Sequence, residues 1–230
     1  VAEGADIIDV GGESTRPDHE PVAAAVEIGR VVPVVRAVAG AVTVPISIDT
    51  SKASVAEAAI AAGATIVNDV RGLTADPELA GVVVRGGLPV VITHDISLKP
   101  DTNPLAQIAH ELSRRVDAAL TAGVRQENII VDPGFGFGKD WRQNLEILRR
   151  LPELRALGFP VLVGLSRKRT IGRVLDLPVE ERLEGTLATT ALAIAGGADI
   201  VRVHDVLPNV RVARMADAVC RPHAVASDTI

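Results

Sequence analysis

The sequence predicts an α/β protein of the TIM, or (β/α)8-barrel, class, and three observations carry that expectation. Short runs rich in Val and Ile recur seven times along the 230 residues: IIDVGG, VPISIDT, TIVNDV, LPVVITHD, NIIVDPG, PVLVGLS and DIVRVHDV. Stretches of helical periodicity separate them, a pattern that builds right-handed βαβ units and a parallel sheet. Polar residues sit at the carboxyl end of nearly every run, around the whole series. A barrel gathers all those ends on one mouth, whereas an open sheet concentrates its site at a switch point. No G-x-G-x-x-G follows the first strand, as a nucleotide-binding open sheet would want. Seven units need an eighth, so the first barrel strand is expected to be absent from this chain, and residues 1–230 to form a single domain.

Taken in order, Val1 to Gly4 reads as the tail of a helix with Gly4 as its C-cap, feeding the first run. Ser51 before ASVAEAAIAAG and Asp76 before Pro77 read as helix N-caps, and Gly63 and Gly123 as C-caps. Leu105, Ile108, Leu112, Val116 and Leu120 recur every three or four residues, as do Trp141, Leu145, Leu148 and Leu151. Side chains alternate across a strand. Ile46 and Ile48 therefore share one face and Ser47 and Asp49 the other, while Arg202 and His204 lie opposite Val201 and Val203. Asp9, Asp49, Asn68, Asp132, Arg202 and His204 point into the barrel near its mouth on this reading. Asp69, Asp95 and Asp205 read as caps or loop partners instead.

Composition narrows the function classes. With 47% hydrophobic and 23% charged residues, the chain is globular rather than disordered. No apolar run approaches the roughly 18 residues of a membrane helix. The single Cys, Cys220, excludes an intrachain disulfide and a cysteine-built zinc site, and suits the cytoplasm. A net charge of −5, 2% aromatics and no Tyr argue against nucleic acid as a partner. Small molecules are the expected partners.

Three strand-end loops carry candidate chemistry. In SRKRTIGRVLD, Arg167, Lys168 and Arg169 stand where a helix starts. Cations there oppose the helix dipole by about 0.3–1 kcal/mol each, and a bound anion would reverse that sign. Arg202 and His204 on the next strand point the same way, because phosphate sites often lie beside the last two barrel strands. In DPGFGFGK, residues 132–139, the glycines permit a tight loop presenting Phe135, Phe137 and Lys139, and the Walker spacing is absent. GGESTRP, residues 11–17, is a polar loop carrying Thr15 and Arg16, with Glu13 available to pair Arg16.

With these residues assembled, the chain resembles the dihydropteroate synthases, the folate-pathway enzymes that sulfonamide drugs inhibit. DVGGESTRP, ISIDTSK, NDV, His94, DPGFGFGK, VGLSRKR and RVHDV appear in register from the first run to the last. The resemblance implies a transferase with a (β/α)8 barrel. Its reaction joins p-aminobenzoate to 6-hydroxymethyl-7,8-dihydropterin pyrophosphate, giving 7,8-dihydropteroate and pyrophosphate. It further implies that Asp49, Asn68, Asp132 and Lys168 line a pterin pocket, and that Arg202, His204 and Thr15 hold the pyrophosphate, with Arg202 stacked on the pterin. Ser166 and Arg167 would lie on the p-aminobenzoate side, with Phe137 and Arg16 in loops nearby. Lys168, Arg202 and His204 would carry catalysis, and His94 would lie near the pocket floor. Homodimers are common in that family.

Two departures stand out. The family's opening N-V-T-P-D-S-F-S-D type segment, whose Asn binds Mg²⁺, has no counterpart from Val1 onward, so the chain is expected to be a fragment of a longer enzyme or a gene product whose start was set too late, and no metal ligand is assigned within it. ITHDISLKP replaces the usual Met-His-Met form, so an atypical loop is expected at 95–101. Three alternatives remain at this stage. A methyltetrahydrofolate-binding methyltransferase domain would share the Asp, Asn, Asp pocket without the basic cluster. A Schiff-base enzyme would use Lys168, its pKa lowered by Arg167 and Arg169. An inactive, binding-only paralogue would need no turnover at all.

Overall fold

The computed structural model describes residues 1–14, 20–99 and 102–221. All seven apolar runs form strands, the first five pairing in parallel in one sheet and the last two in another. The chain divides into two compact units, one of Asp6–Ile96 and His110–Asp132 with Val1, the other of Ala2–Ala5, Ser97–Ala109 and Pro133 onward.

The first unit holds a five-stranded parallel sheet of β1 (Ile8–Gly11), β2 (Ile46–Asp49), β3 (Ile66–Asp69), β4 (Val90–Thr93) and β5 (Ile129–Asp132), in that spatial order. Its register aligns Val10 with Ile48, Ile48 with Val67, Val67 with Val90 and Val90 with Ile129. One face is therefore almost wholly aliphatic, and Ile48, Val67, Val90 and Ile129 are fully buried. Helices α1 (Ala24–Ala39), α2 (Ala53–Ala62) and α3 (Leu79–Gly86) link the strands and bury Val31, Val35, Val55, Ala59, Leu79 and Val83.

The second unit carries β6 (Leu162–Val163) paired with β7 (Ile200–Val201), with α5 (Trp141–Arg149), α6 (Arg169–Leu175), α7 (Leu183–Ala195) and α8 (Val206–Cys220). Helix α4 (Pro104–Thr121) contributes residues to each unit. At α5 the Asp140 carboxylate accepts the Gln143 N–H at 2.8 Å, while the Gln143 side chain accepts the Asp140 N–H at 2.9 Å, a reciprocal capping box.

Several local expectations are corrected. Residues 1–4 form a turn, not a helix end. Helix α2 begins after Lys52, and the Ser51 hydroxyl donates to Asp69 at 2.5 Å instead of capping it. Asp76 precedes α3 without being its N-cap; one of its oxygens accepts from Ala53 N at 2.8 Å, the first residue of α2, and the other from Glu78 N at 3.0 Å. The stripe on α4 drifts off the core at its end, leaving Leu120 exposed while Ala119 is buried. On α5, Leu145 is exposed and Asn144, Ile147 and Leu148 are buried. Gly63 does close α2, with φ at +121°.

One buried cation ties the strand ends of the first unit together. Arg115 on α4 is 3% exposed and donates to the Thr93 carbonyl at 2.5 Å, the Arg71 carbonyl at 3.1 Å, Asp95 at 2.7 Å and Glu111 at 2.9 Å. Gly72 makes this approach possible: with φ at +60°, a Cβ there would fall 2.6 Å from the Thr93 carbonyl oxygen. Hydrogen bonds from Arg114 and Arg115 lower the Glu111 pKa to about 2, against its burial. Arg115→Ala should reduce the unfolding free energy by about 3–5 kcal/mol, because it leaves two carbonyls without their donor and the buried Asp95 carboxylate with the exposed Arg71 as its remaining cation. Urea denaturation checks this, and a loss below about 1 kcal/mol would mean that the cluster holds nothing together.

Candidate active site

In the first unit, the register that makes one sheet face aliphatic makes the other polar. Asp9 aligns with Ser47, Asp49 with Asn68, and Thr93 with Asp132. Asp49, Asn68 and Asp132, expected at the mouth, thus share one sheet face near the carboxyl ends of β2, β3 and β5. The Asn68 amide donates to Asp9 at 3.3 Å. His94 is buried beside this group, and its N–H donates to the Asp132 carbonyl at 2.9 Å. Asp69 takes the structural role expected of it: Ser51, Arg71 N and Leu73 N all donate to it, while burial raises its pKa against those bonds.

A buried network anchors the stem of the first loop. Lys52 donates to both Glu13 and Glu27, and the Thr50 hydroxyl donates to Glu27 at 2.8 Å. Burial opposes the charge on Lys52, yet the two carboxylates outweigh it and raise its pKa. Glu13, considered above as a partner for Arg16, is thus engaged by Lys52 and accepts the Val22 N–H at 3.3 Å. Thr15 and Arg16 themselves lie outside the described residues.

In the second unit, the candidates gather where β6 and β7 end. Lys168 is the N-cap residue of α6; its ammonium donates to the Phe135 carbonyl and lies 5.2 Å from the centre of the Phe137 ring. A Cβ at Gly164 would lie 3.7 Å from Arg202 Nε and 4.0 Å from Lys168 Nζ, so two cations flank the small residue. Arg167 has φ at +55°, in the left-handed region that costs a non-glycine residue about 1–2 kcal/mol. Its guanidinium grips Asp205 in two bonds of 2.9 and 2.5 Å, its N–H donates to Thr186, and its carbonyl accepts from Arg182. The Asp205 pairing raises the Arg167 pKa and lowers that of Asp205. The Ser166 hydroxyl lies 2.9 Å from His204 Nδ1 and accepts the His204 backbone N–H at 3.2 Å.

The glycine-rich loop is held from within. Lys139 is buried and donates to the Gly134 and Phe137 carbonyls, both at 2.9 Å. Asn144 on α5 accepts the Gly136 N–H at 3.0 Å and donates to the Asp140 carbonyl at 2.8 Å. Phe135 is core, at 1% exposure, whereas Phe137 is half-buried against Lys168. Sequence reasoning missed Asn144 because its position counts as polar in a helical stripe. It passed over Thr93, which faces the same way as Asp132.

The resemblance implies Mg²⁺, but among the described residues no group of three or more His, Cys, Asp or Glu side chains could hold a metal ion. No ligand to that ion is assigned among these residues.

Seven strands in parallel pairings, alternating with helices and carrying polar groups at their ends, agree with a (β/α)8-class enzyme. The match to solved structures agrees. A dihydropteroate synthase from Clostridium difficile, solved in the presence of pteroic acid, superposes with a TM-score of 0.93 at 49% identity, over 96% of this chain and 84% of that one. The Xanthomonas albilineans dihydropteroate synthase with 4-aminobenzoic acid gives a TM-score of 0.91 at 41% identity, over 97% and 81%. The chain belongs to the pterin binding enzyme family, whose profile matches residues 1–204. A curated relative, the dihydropteroate synthase of Clostridium beijerinckii, is 49% identical over 222 residues, 96% of this chain and 82% of its own length.

Thr93 generates a prediction of its own. It is fully buried, and its hydroxyl has no partner among the described residues. Thr93→Val should leave stability unchanged or raise it by about 1 kcal/mol, since no hydrogen bond is lost. A melting temperature clearly below that of the parent would show that the hydroxyl is satisfied.

Proposed function

We propose that this chain is a dihydropteroate synthase, a transferase that condenses 6-hydroxymethyl-7,8-dihydropterin pyrophosphate with p-aminobenzoate and releases pyrophosphate. The observation that carries the reading is the 49% identity to a dihydropteroate synthase over 96% of the chain, with the candidate residues standing at the strand ends. The pterin's 2-amino and N3–H edge offers two parallel donors, which suit the Asp132 carboxylate, with Asn68 and Asp49 on the same sheet face supplying further polar partners. Lys168 and Arg202 bring positive charge, and Arg202 with His204 receives the pyrophosphate as its bond to the pterin methylene breaks. The dihydropterin ring stabilises the resulting cation until the aryl amine attacks the methylene carbon and loses a proton. The protein's work is therefore charge stabilisation at the leaving group and positioning of two rings. Arg167 and Phe137 stand on the p-aminobenzoate side of this proposal, where the resemblance also puts Ser166, and Thr15 and Arg16 in the first loop.

One family profile runs through residues 1–204, across both compact units, which supports a single catalytic domain over residues 1–230. Mg²⁺ enters the proposal only as the counter-ion of a pyrophosphate ester, with no ligand assigned among these residues. No helix among the described residues is long and apolar enough to cross a membrane, which agrees with a cytoplasmic enzyme. A homodimer is proposed from the resemblance alone.

Two substitutions test the roles. Arg202→Ala should weaken binding of the pterin pyrophosphate by about 2–5 kcal/mol in titration calorimetry, as expected for truncating one partner of a desolvated charge pair; an unchanged dissociation constant would remove Arg202 from the anion site. Asp132→Asn should raise the KM for the pterin substrate while leaving that for p-aminobenzoate nearly intact. Equal loss for both substrates would argue against a pterin-specific role.

A further inference from the structure

We infer that Ser166 is a positioning residue for His204: its hydroxyl holds the imidazole with the proton on Nε2, so that the ring presents a donor to the departing pyrophosphate. The inference rests on the proposed function for what His204 donates to, but not for the tautomer itself. It also moves Ser166 away from the p-aminobenzoate side, where the resemblance put it.

Donors and acceptors around the Ser166 hydroxyl fix the tautomer. A serine hydroxyl has one proton to give and two lone pairs. One lone pair of Ser166 accepts the His204 backbone N–H at 3.2 Å, and the oxygen lies 2.9 Å from His204 Nδ1. Ser166 is buried at 6% exposure, and Nδ1 is the one acceptor its proton reaches among the described residues. Were Nδ1 protonated in the neutral ring, the hydroxyl would face a donor and its own proton would be left unspent in a buried site, which is unfavourable. With Nδ1 as acceptor both groups are satisfied, and in the neutral ring the proton must then sit on Nε2. The second contact matters equally. Because the same oxygen binds both the backbone and the ring of His204, it fixes the ring relative to its own main chain. The carboxylate next in sequence cannot substitute, since Asp205 is held in two bonds by Arg167.

The test begins with the unaltered protein. Nitrogen-15 spectra of histidine-labelled enzyme, with His204 assigned by its loss in His204→Gln, should show an unprotonated Nδ1 and a protonated Nε2 when the ring is neutral. A protonated Nδ1 would overturn the inference without any folding question. Ser166→Ala should shift both nitrogens toward an average of the two tautomers, and Ser166→Thr should restore the parent pattern. In turnover, Ser166→Ala should lower kcat by roughly 10–100-fold, the scale of losses when a partner orienting an imidazole is removed, while the KM for p-aminobenzoate holds. A raised KM for p-aminobenzoate with unchanged nitrogen shifts would return Ser166 to substrate contact. If the parent protein shows the Nε2 tautomer yet no turnover, the positioning stands and the proposed function is what fails.

Discussion

Strand register is the constraint from which the rest of this structure follows. Adjacent parallel strands pair so that Ile48, Val67, Val90 and Ile129 fall on one face, and the two-residue period then sends Asp49, Asn68, Thr93 and Asp132 to the other. A slip of one residue would bury the carboxylates among the helices and turn the aliphatic side chains to the polar face. Burying the aliphatic face and assembling the polar group are thus one event. The loops depend on it too, because Arg115 can reach the Thr93 and Arg71 carbonyls only when β3 and β4 end where they do.

At the ends of β6 and β7 the same logic is carried by ion pairs and loop geometry. Arg167 occupies a backbone conformation that a side chain disfavours, and its two bonds to Asp205 with the contacts from Thr186 and Arg182 offset that cost. The turn so held delivers Lys168 to the start of α6, with its ammonium on the Phe135 carbonyl and near the Phe137 ring. The basic run SRKR is therefore divided in labour: Arg167 builds the turn, and Lys168 is presented by it. Such sites work by fixing charge before substrate arrives.

Much of this was legible in the sequence because strand alternation is a strong signal. Ser47 and Asp49 could be assigned a face from their spacing, whereas Arg202 and His204, expected to share a strand face, lie beyond the end of β7, where alternation no longer applies. What was not legible came from partners distant along the chain. Asp76 looked like the cap of the helix that follows it; one of its oxygens does accept the Glu78 N–H ahead of α3, but the other serves Ala53 at the start of α2. Ser51 looked like a cap and instead donates to Asp69. Nothing in SRKR marks Arg167 for Asp205, thirty-eight positions on, or Ser166 for the ring of His204. Periodicity reports which face a side chain takes; it carries no information about which group across the fold completes its hydrogen bonds.

The central claim is that these strand ends manage charge on a departing pyrophosphate while a second ring attacks. The most direct measurement is pyrophosphate release from 6-hydroxymethyl-7,8-dihydropterin pyrophosphate in the presence of Mg²⁺, with p-aminobenzoate as the varied component. Release that depends on p-aminobenzoate and matches 7,8-dihydropteroate formed is the predicted result. Binding of the pterin ester without p-aminobenzoate-dependent release would contradict it.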